Sequence, residues 1–283
     1  TDYGRATLGA AQHLLALVYL TRASAETNIR GSQSYDLDSA IYYSETLINN
    51  PIYGLEEDYN NLWNYYIENK KDNESSMETV FAIQHTNNLN LEDRGNQLQL
   101  YWVTEYDVQP GMERDILNGR PYRRSKPTHF FLDSFDRNID SRLYKSCQFV
   151  WICNSPTKNI PIVNGLPKYD FKVGDTAIVM TLQDNVDAAT VENFTDYYWI
   201  PRSTTERATF DIGFFPQLKK FLDPHRLTAN QQNGYRDLIL YRLAETYLIA
   251  AEAHGRNQNY PRAVELVNTI RTRAAYKEGE VKP

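Results

Sequence analysis

Histidine is the side chain best suited to hold a metal or move a proton near neutral pH, and this chain has five: His13, His85, His129, His225 and His254. They are scattered. No H-E-x-x-H spacing occurs, and Cys147 and Cys153 form no C-x-x-C pair with which a metal could be held. Asp136-Arg137-Asn138-Ile139-Asp140 opens like a calcium loop. It fails where the sharp turn needs glycine, at Ser141, and where the bidentate carboxylate belongs, at Cys147; a solvated turn is the better reading. Glu56, Glu57 and Asp58 are adjacent and do not converge across a substrate as a glycosidase pair must. Nucleophile-elbow, Walker and dinucleotide glycine patterns are absent.

Aromatic clusters remain: Trp63 with Tyr65 and Tyr66, Tyr101-Trp102 with Tyr106, Trp151, and Tyr197-Tyr198-Trp199. With 21 Tyr, 11 Phe and 4 Trp in 283 residues, the chain has more rings than its helices can use. An exposed ring offers a rigid apolar face to ligands with apolar faces and polar edges, sugars above all, while neighbouring Asn, Asp and Arg take the hydroxyls. The candidate ligand-binding residues are Trp102, Tyr101, Asn96, Trp199, Tyr198 and Trp63. The opposing reading of any one of them is an ordinary core aromatic. A formal charge of −6 and a pI near 5.5 argue against nucleic acid as a partner. No apolar run reaches the roughly 18 residues that a membrane helix needs. The two cysteines make no disulfide framework and are expected to be free thiols.

The elements that must position these residues lie at the two ends. Residues 238–255 repeat apolar side chains at Leu240, Leu243, Ala244, Tyr247, Leu248 and Ala251, the three- and four-residue steps of one helical face, and Gly255 is placed to end the helix. Pro261 suits the first turn of a second helix over 260–274. Leu15-Ala16-Leu17-Val18-Tyr19-Leu20 repeats the L-A-x-x-Y-L of Leu243 to Leu248. There a helix over 6–23 places Leu8, Ala11, Leu15, Val18 and Tyr19 together. A partner helix follows Asp36, its expected cap, carries Leu37, Ala40, Ile41, Ser44, Leu47 and Ile48 on one face and is stopped by Pro51. The fold expected is mainly α, with tetratricopeptide-like hairpins forming a scaffold and a large irregular insertion containing short strands. The expected organisation is a hairpin over 1–51, an aromatic-rich ligand-binding region over 52–236, a hairpin over 237–275 and a tail over 276–283. Strands are expected over 79–84, 148–152 and 177–182.

The pair of hairpins resembles the SusD/RagB family of outer-membrane nutrient-binding lipoproteins of Bacteroidetes. The resemblance rests on Arg242-Leu243-Ala244-Glu245-Thr246-Tyr247-Leu248-Ile249-Ala250-Ala251-Glu252-Ala253, followed by Asn268-Thr269-Ile270-Arg271-Thr272-Arg273-Ala274. Gly4-Arg5-Ala6-Thr7-Leu8-Gly9-Ala10-Ala11 adds to it, with weaker echoes at Arg120-Pro121, Phe135 with Asp140-Ser141-Arg142, and Phe215-Pro216. It implies a non-enzymatic protein without cofactor, exposed at the outer membrane through a lipid anchor. Such a protein captures an oligosaccharide and delivers it to a TonB-dependent, SusC-like transporter. It also implies that this chain is an internal portion of a longer protein. No binding residue carries over by position. The alternatives are a tetratricopeptide-like scaffold for protein or peptide, and a glycoside hydrolase, which needs two opposed carboxylates.

Overall fold

The computed structural model describes residues 3–24, 31–63, 76–88, 90–91, 95–203 and 213–280. Tyr65 and Tyr66 lie outside the described residues. The helices, in chain order, are α1 (Leu8–Ala23), α2 (Asp36–Ile48), α3 (Leu98–Tyr101), α4 (His129–Asp133), α5 (Arg142–Ser146), α6 (Ala188–Asn193), α7 (Leu243–Arg256) and α8 (Tyr260–Ala274). The strands are β1 (Thr79–Ile83), β2 (Cys147–Gln148), β3 (Val150–Ile152), β4 (Ile162–Val163), β5 (Leu166–Pro167), β6 (Thr176–Asp184), β7 (Tyr198–Ser203), β8 (Gln217–Leu218) and β9 (Leu238–Arg242). None of these helices is long and apolar enough to cross a membrane. The described residues form two compact units, one within Thr1–His85 and Arg236–Glu280 and one within Thr86–Tyr235.

In the first unit α1, α2 and α7 bury Ala16, Leu20, Ala40, Ile249 and Ala253 against one another. Small residues at three of these five positions let the helix backbones approach closely. Thr7 starts α1 by accepting the Ala10 N–H on its hydroxyl at 3.2 Å. His13 packs inside, stacked on Tyr241 at 4.5 Å, with Nδ1 2.9 Å from the Thr246 hydroxyl. Ala16 and Ala244, the equivalent residues of the two L-A-x-x-Y-L segments, are both buried.

Four sequence expectations need correction here. The α1 face bearing Leu8, Ala11, Leu15 and Val18 points outward, Leu8 being 71% exposed and Val18 50%. The buried face is made of Gly9, Ala10, Gln12, His13, Ala16 and Leu20, because the small side chains are the ones that admit α2 and α7. Asp36 does not cap α2; its buried carboxylate accepts Arg22 through Nε at 3.0 Å and the Gln33 N–H at 2.8 Å. Residues 238–242 are strand, not the first turn of a helix: β9 pairs antiparallel with β1, Thr79 opposite Arg242 and Ile83 opposite Leu238. Gly255 lies inside α7, and the left-handed residue beyond the helix is Gln258, at φ +63°.

One buried ionic knot ties this unit together. Glu78, fully buried just before β1, accepts Nη1 of Arg273 on α8 at 2.6 Å and is ion-paired with Arg242 at the end of β9. Its carboxylate also accepts the Glu56 N–H at 2.9 Å, and its carbonyl accepts the Leu243 N–H at 2.9 Å. Both arginines belong to the segments that carried the family resemblance, and both are used internally.

In the second unit β3, β6 and β7 form a sheet in the order β3-β6-β7, β3 antiparallel to β6 and β7 parallel to it. Trp151 on β3 and Ile178 on β6 are fully buried at its centre. The strand expected over 148–152 is interrupted at Phe149: β2 pairs with β8, and β3 with β6. Cys147 and Cys153 are free and buried. Burial pushes the Cys147 thiol up to about 12, so it stays protonated and packs as a small apolar group.

Candidate functional site

The segment 101–108 prepares a site through its buried residues. Val103 and Thr104 are fully buried, and Thr104 donates its hydroxyl to the Gly213 carbonyl at 2.6 Å. Tyr106 is buried with them, donating its phenol to the Gly119 carbonyl at 2.7 Å and accepting the Asp115 N–H at 3.0 Å. Burial raises this phenol well above its ordinary pKa, so it remains a neutral donor. Gly119, at φ +87°, takes a backbone shape that side chains resist, and a Cβ there would lie 2.8 Å from Leu222 and 2.9 Å from Val103. That close approach returns the chain alongside 101–103. Arg124 and Ser125 then donate their N–H groups to the Tyr101 carbonyl, each at 2.9 Å, and Arg123 donates to Val103 at 3.3 Å.

Between these two segments lies an open cleft of about 370 Å³, within the range of small-ligand sites. Glu105, Asp107, Val108, Arg114, Pro121, Tyr122, Arg123 and Arg124 line it. Its charges are ordered. Arg114 grips Asp107 through Nε at 2.8 Å and Nη2 at 2.7 Å, and Arg123 pairs with Glu105 at 2.8 Å. Arg124 lies 6.0 Å from the Tyr122 ring centre and Arg120 lies 5.4 Å from it. A loop beyond the cleft steadies it: Asn230 accepts Arg114 on its side-chain oxygen at 2.9 Å and Arg120 on its carbonyl at 2.7 Å. Arg226, buried, holds that loop by donating to the carbonyls of Asp223, Gln231 and Ile116. Such a cleft can present hydrogen-bond donors and acceptors in alternation, beside exposed Val108 and the half-buried Tyr122.

Tyr101 and Trp102 precede the cleft-lining segment in sequence and do not line the cleft. Both are half-buried, and the Trp102 ring stacks on Phe221 at 5.9 Å and 26°. Asn96, in the same unit, is buried, its side-chain oxygen accepting the Leu98 N–H at 3.0 Å and its backbone bridged to Gly234. Tyr198 and Trp199 lie elsewhere along the chain, on β7. Trp199 donates its indole N–H to Thr181 at 2.9 Å and meets Phe194 edge-on at 5.5 Å. Phe194 also touches Tyr197 at 4.7 Å, so this is a second aromatic surface, half-buried. Trp63 belongs to the helical unit, edge-on to Tyr59 at 6.2 Å with Arg242 5.9 Å from its ring centre. The six candidates therefore do not form one site. Arg114, Tyr122, Arg123 and Arg124 were missed. For the last three the available signal was the run Arg120-Pro121-Tyr122-Arg123-Arg124-Ser125-Lys126, four cations in seven residues of an acidic chain; Arg114 lies outside it. The helical unit has a pocket of about 200 Å³ beside Tyr53 and β1, below the range of ordinary ligand sites.

The model of the SusD family matches residues 49–283. Among solved structures, a SusD superfamily protein from Bacteroides fragilis superposes with a TM-score of 0.61 at 16% identity, covering 100% of this chain and 48% of that one. A SusD superfamily protein from Parabacteroides distasonis gives 0.58 at 20% identity, covering 99% and 48%. Surface glycan-binding protein A from Bacteroides thetaiotaomicron, solved with laminarihexaose, gives 0.57 at 17% identity, covering 100% and 50%. At these identities the likeness is one of fold. This chain spans about half the length of the structures it matches. No curated protein matches it.

Proposed function

The chain belongs to the SusD family, and from that membership we propose that it is part of a non-enzymatic oligosaccharide-binding protein of an outer-membrane nutrient uptake system. It captures a glycan at the cell surface and hands it to a TonB-dependent, SusC-like transporter. The helical unit is the tetratricopeptide-like scaffold in this reading, and the second unit bears the ligand. The observation that carries it is the 105–124 cleft, where ordered guanidinium and carboxylate groups stand beside the Tyr122 ring. Sugar hydroxyls need such alternating partners, and an apolar sugar face needs a surface like Tyr122 or Val108. The laminarihexaose bound by a protein of the same fold supports the same class of ligand. Both cleft carboxylates are ion-paired, an arrangement that suits hydrogen-bond acceptors and not a glycosidase acid with its opposed base.

Trp102 and Tyr101 are proposed to act with this cleft, and Tyr198 and Trp199 to offer a second aromatic surface. Asn96 and Trp63 complete the proposed set. A peptide-binding scaffold is the competing reading, favoured by the exposed apolar stripe of Leu8, Ala11, Leu15 and Val18 on α1. A glycan array with the full-length protein tests the choice, run beside Tyr122→Ala. Binding of an oligosaccharide that falls about tenfold or more in the variant is expected, given about 1–3 kcal/mol for an aromatic stacking partner. Glycan binding that ignores both Tyr122 and the cleft arginines refutes this placement of the site.

A further inference from the structure

The charges of the 105–124 cleft do not cancel, and the surplus has a definite location. Glu105 and Asp107 are each matched by one arginine, Arg123 and Arg114. Arg124 lines the same cleft, and among the described residues neither it nor Arg120 has a carboxylate partner. Both lie over the ring of Tyr122, at 6.0 and 5.4 Å. A guanidinium stacked by its face keeps the N–H groups along its edge available, and that planar fork matches two oxygens of one anionic group. Two cations thus gather at the Tyr122 ring, and Asn230 accepts one of them, Arg120, on its carbonyl at 2.7 Å. A neutral glycan needs donors and acceptors in balance and gains nothing from two stacked, unneutralised guanidinium groups. The rest of the chain carries net negative charge, so this concentration is local: residues 120–126 contain four cations and no carboxylate.

On the reading of the cleft as a glycan site, we infer that its ligand is an anionic oligosaccharide, whose carboxylate or sulfate group is taken by Arg124 in the cleft lining together with Arg120, the second cation over the Tyr122 ring. Glu105 and Asp107, already paired, then accept hydroxyl groups of the same or the next sugar unit. The ion pairs beside them keep these carboxylates from repelling the ligand.

The test uses the full-length protein and a panel of uronate-containing and sulfated oligosaccharides: oligogalacturonates, alginate oligomers, chondroitin sulfate and heparin tetrasaccharides. Each is paired with its carboxyl-reduced or desulfated counterpart, and neutral glucans and xylans complete the set. At least one acidic member is expected to bind about tenfold or more tightly than its neutral counterpart, as one charge-assisted bidentate contact allows. That preference should shrink as salt rises from about 50 to 300 mM, since exposed charges are screened over that range. Arg124→Ala with Arg120→Ala should abolish it while a thermal melt shows the fold retained, and Arg124→Lys should restore only part of it. Which counterpart series responds separates carboxylate from sulfate. Tight binding confined to neutral glycans overturns the inference and leaves the glycan reading standing. Acidic-glycan binding that survives loss of both arginines overturns it as well. Failure of every glycan, acidic and neutral, refutes both.

Discussion

Replacing Glu78 by alanine is expected to destabilise the helical unit more than any comparable surface change. The carboxylate is fully buried and accepts Arg273 Nη1 at 2.6 Å, the Glu56 N–H at 2.9 Å and an ion pair from Arg242. Its removal leaves a guanidinium that is itself 7% exposed without its anion, and a second one loosened. Breaking a buried pair from one side costs about 3–5 kcal/mol, because the remaining charge stays desolvated. Against a total stability of roughly 5–15 kcal/mol that is a large share. At about 2–4 °C per kcal/mol, the scale for large domains, the melting point should fall by roughly 6–20 °C. Urea unfolding followed by circular dichroism at 222 nm reads the helical unit. Glu78→Gln separates charge from shape, since it keeps the volume and one acceptor. Glu78→Leu with Arg273→Met removes both partners and should recover part of the loss. A Glu78→Ala protein within about 1 kcal/mol of wild type would refute the reasoning, because the knot would then have to be hydrated.

Gly119→Ala forces a side chain into a positive φ and against Leu222 and Val103, so a loss of about 1–3 kcal/mol is expected. Oligosaccharide affinity should fall with it, and an unchanged melt would show that the 119–125 segment is not seated as described. Trp102→Ala removes a half-buried ring stacked on Phe221, so it should cost about 1–3 kcal/mol of stability. Calorimetry with a bound glycan then reports whether Trp102 also contributes to binding, and a variant that melts normally but binds weakly would make it a ligand-facing residue. Asp36, Glu45 and Asp184 are held below their ordinary carboxylate range, chiefly by hydrogen bonds from Arg22, Arg262 and Arg202. Their folded forms bind protons less readily than the unfolded chain. The stability they contribute is therefore complete above about pH 5 and lost as pH falls through the folded values. Asp36→Asn should flatten that acid limb in pH-dependent melts, and a limb of unchanged depth would remove the Arg22 contact from the account.

Helix α2 was legible because it depends on local periodicity: Leu37, Ala40, Ile41, Ser44 and Leu47 recur at helical steps and the structure turns them inward. For α7 the expected face holds at Leu243, Ala244 and Ala251 and fails at Leu248, which is exposed, while Ile249 and Ala250 are buried in its place. Pro261 and Asn259 likewise mark the start of α8 by local geometry, Asn259 accepting the Arg262 N–H. For α1 the period alone was legible and the buried side was not. An apolar helix has two candidate faces, and which is covered depends on α2 and α7, the latter more than two hundred residues away. The same limit applies to residues 238–242. A short apolar run reads as helix or strand with equal ease, and β1, about 160 residues earlier in the chain, decided for strand by supplying the missing hydrogen bonds.

Ring counts and the weak helical rhythm set the middle region apart from the helical ends without locating its cleft. Trp102 was conspicuous in sequence because tryptophan is rare, yet it stacks on Phe221, while the less conspicuous Tyr122 organises two arginines. The charge balance of Glu105, Asp107, Arg114 and Arg123 could not be read in sequence at all. The pairings join residues 7 and 18 positions apart, and the longer one, Glu105 with Arg123, closes through a turn in which Gly119 fits between Val103 and Leu222. Composition determined that cations and rings would be available; only the tertiary packing decided which cations were neutralised, because Coulomb attraction and desolvation act over ångströms of space and take no account of distance along the chain.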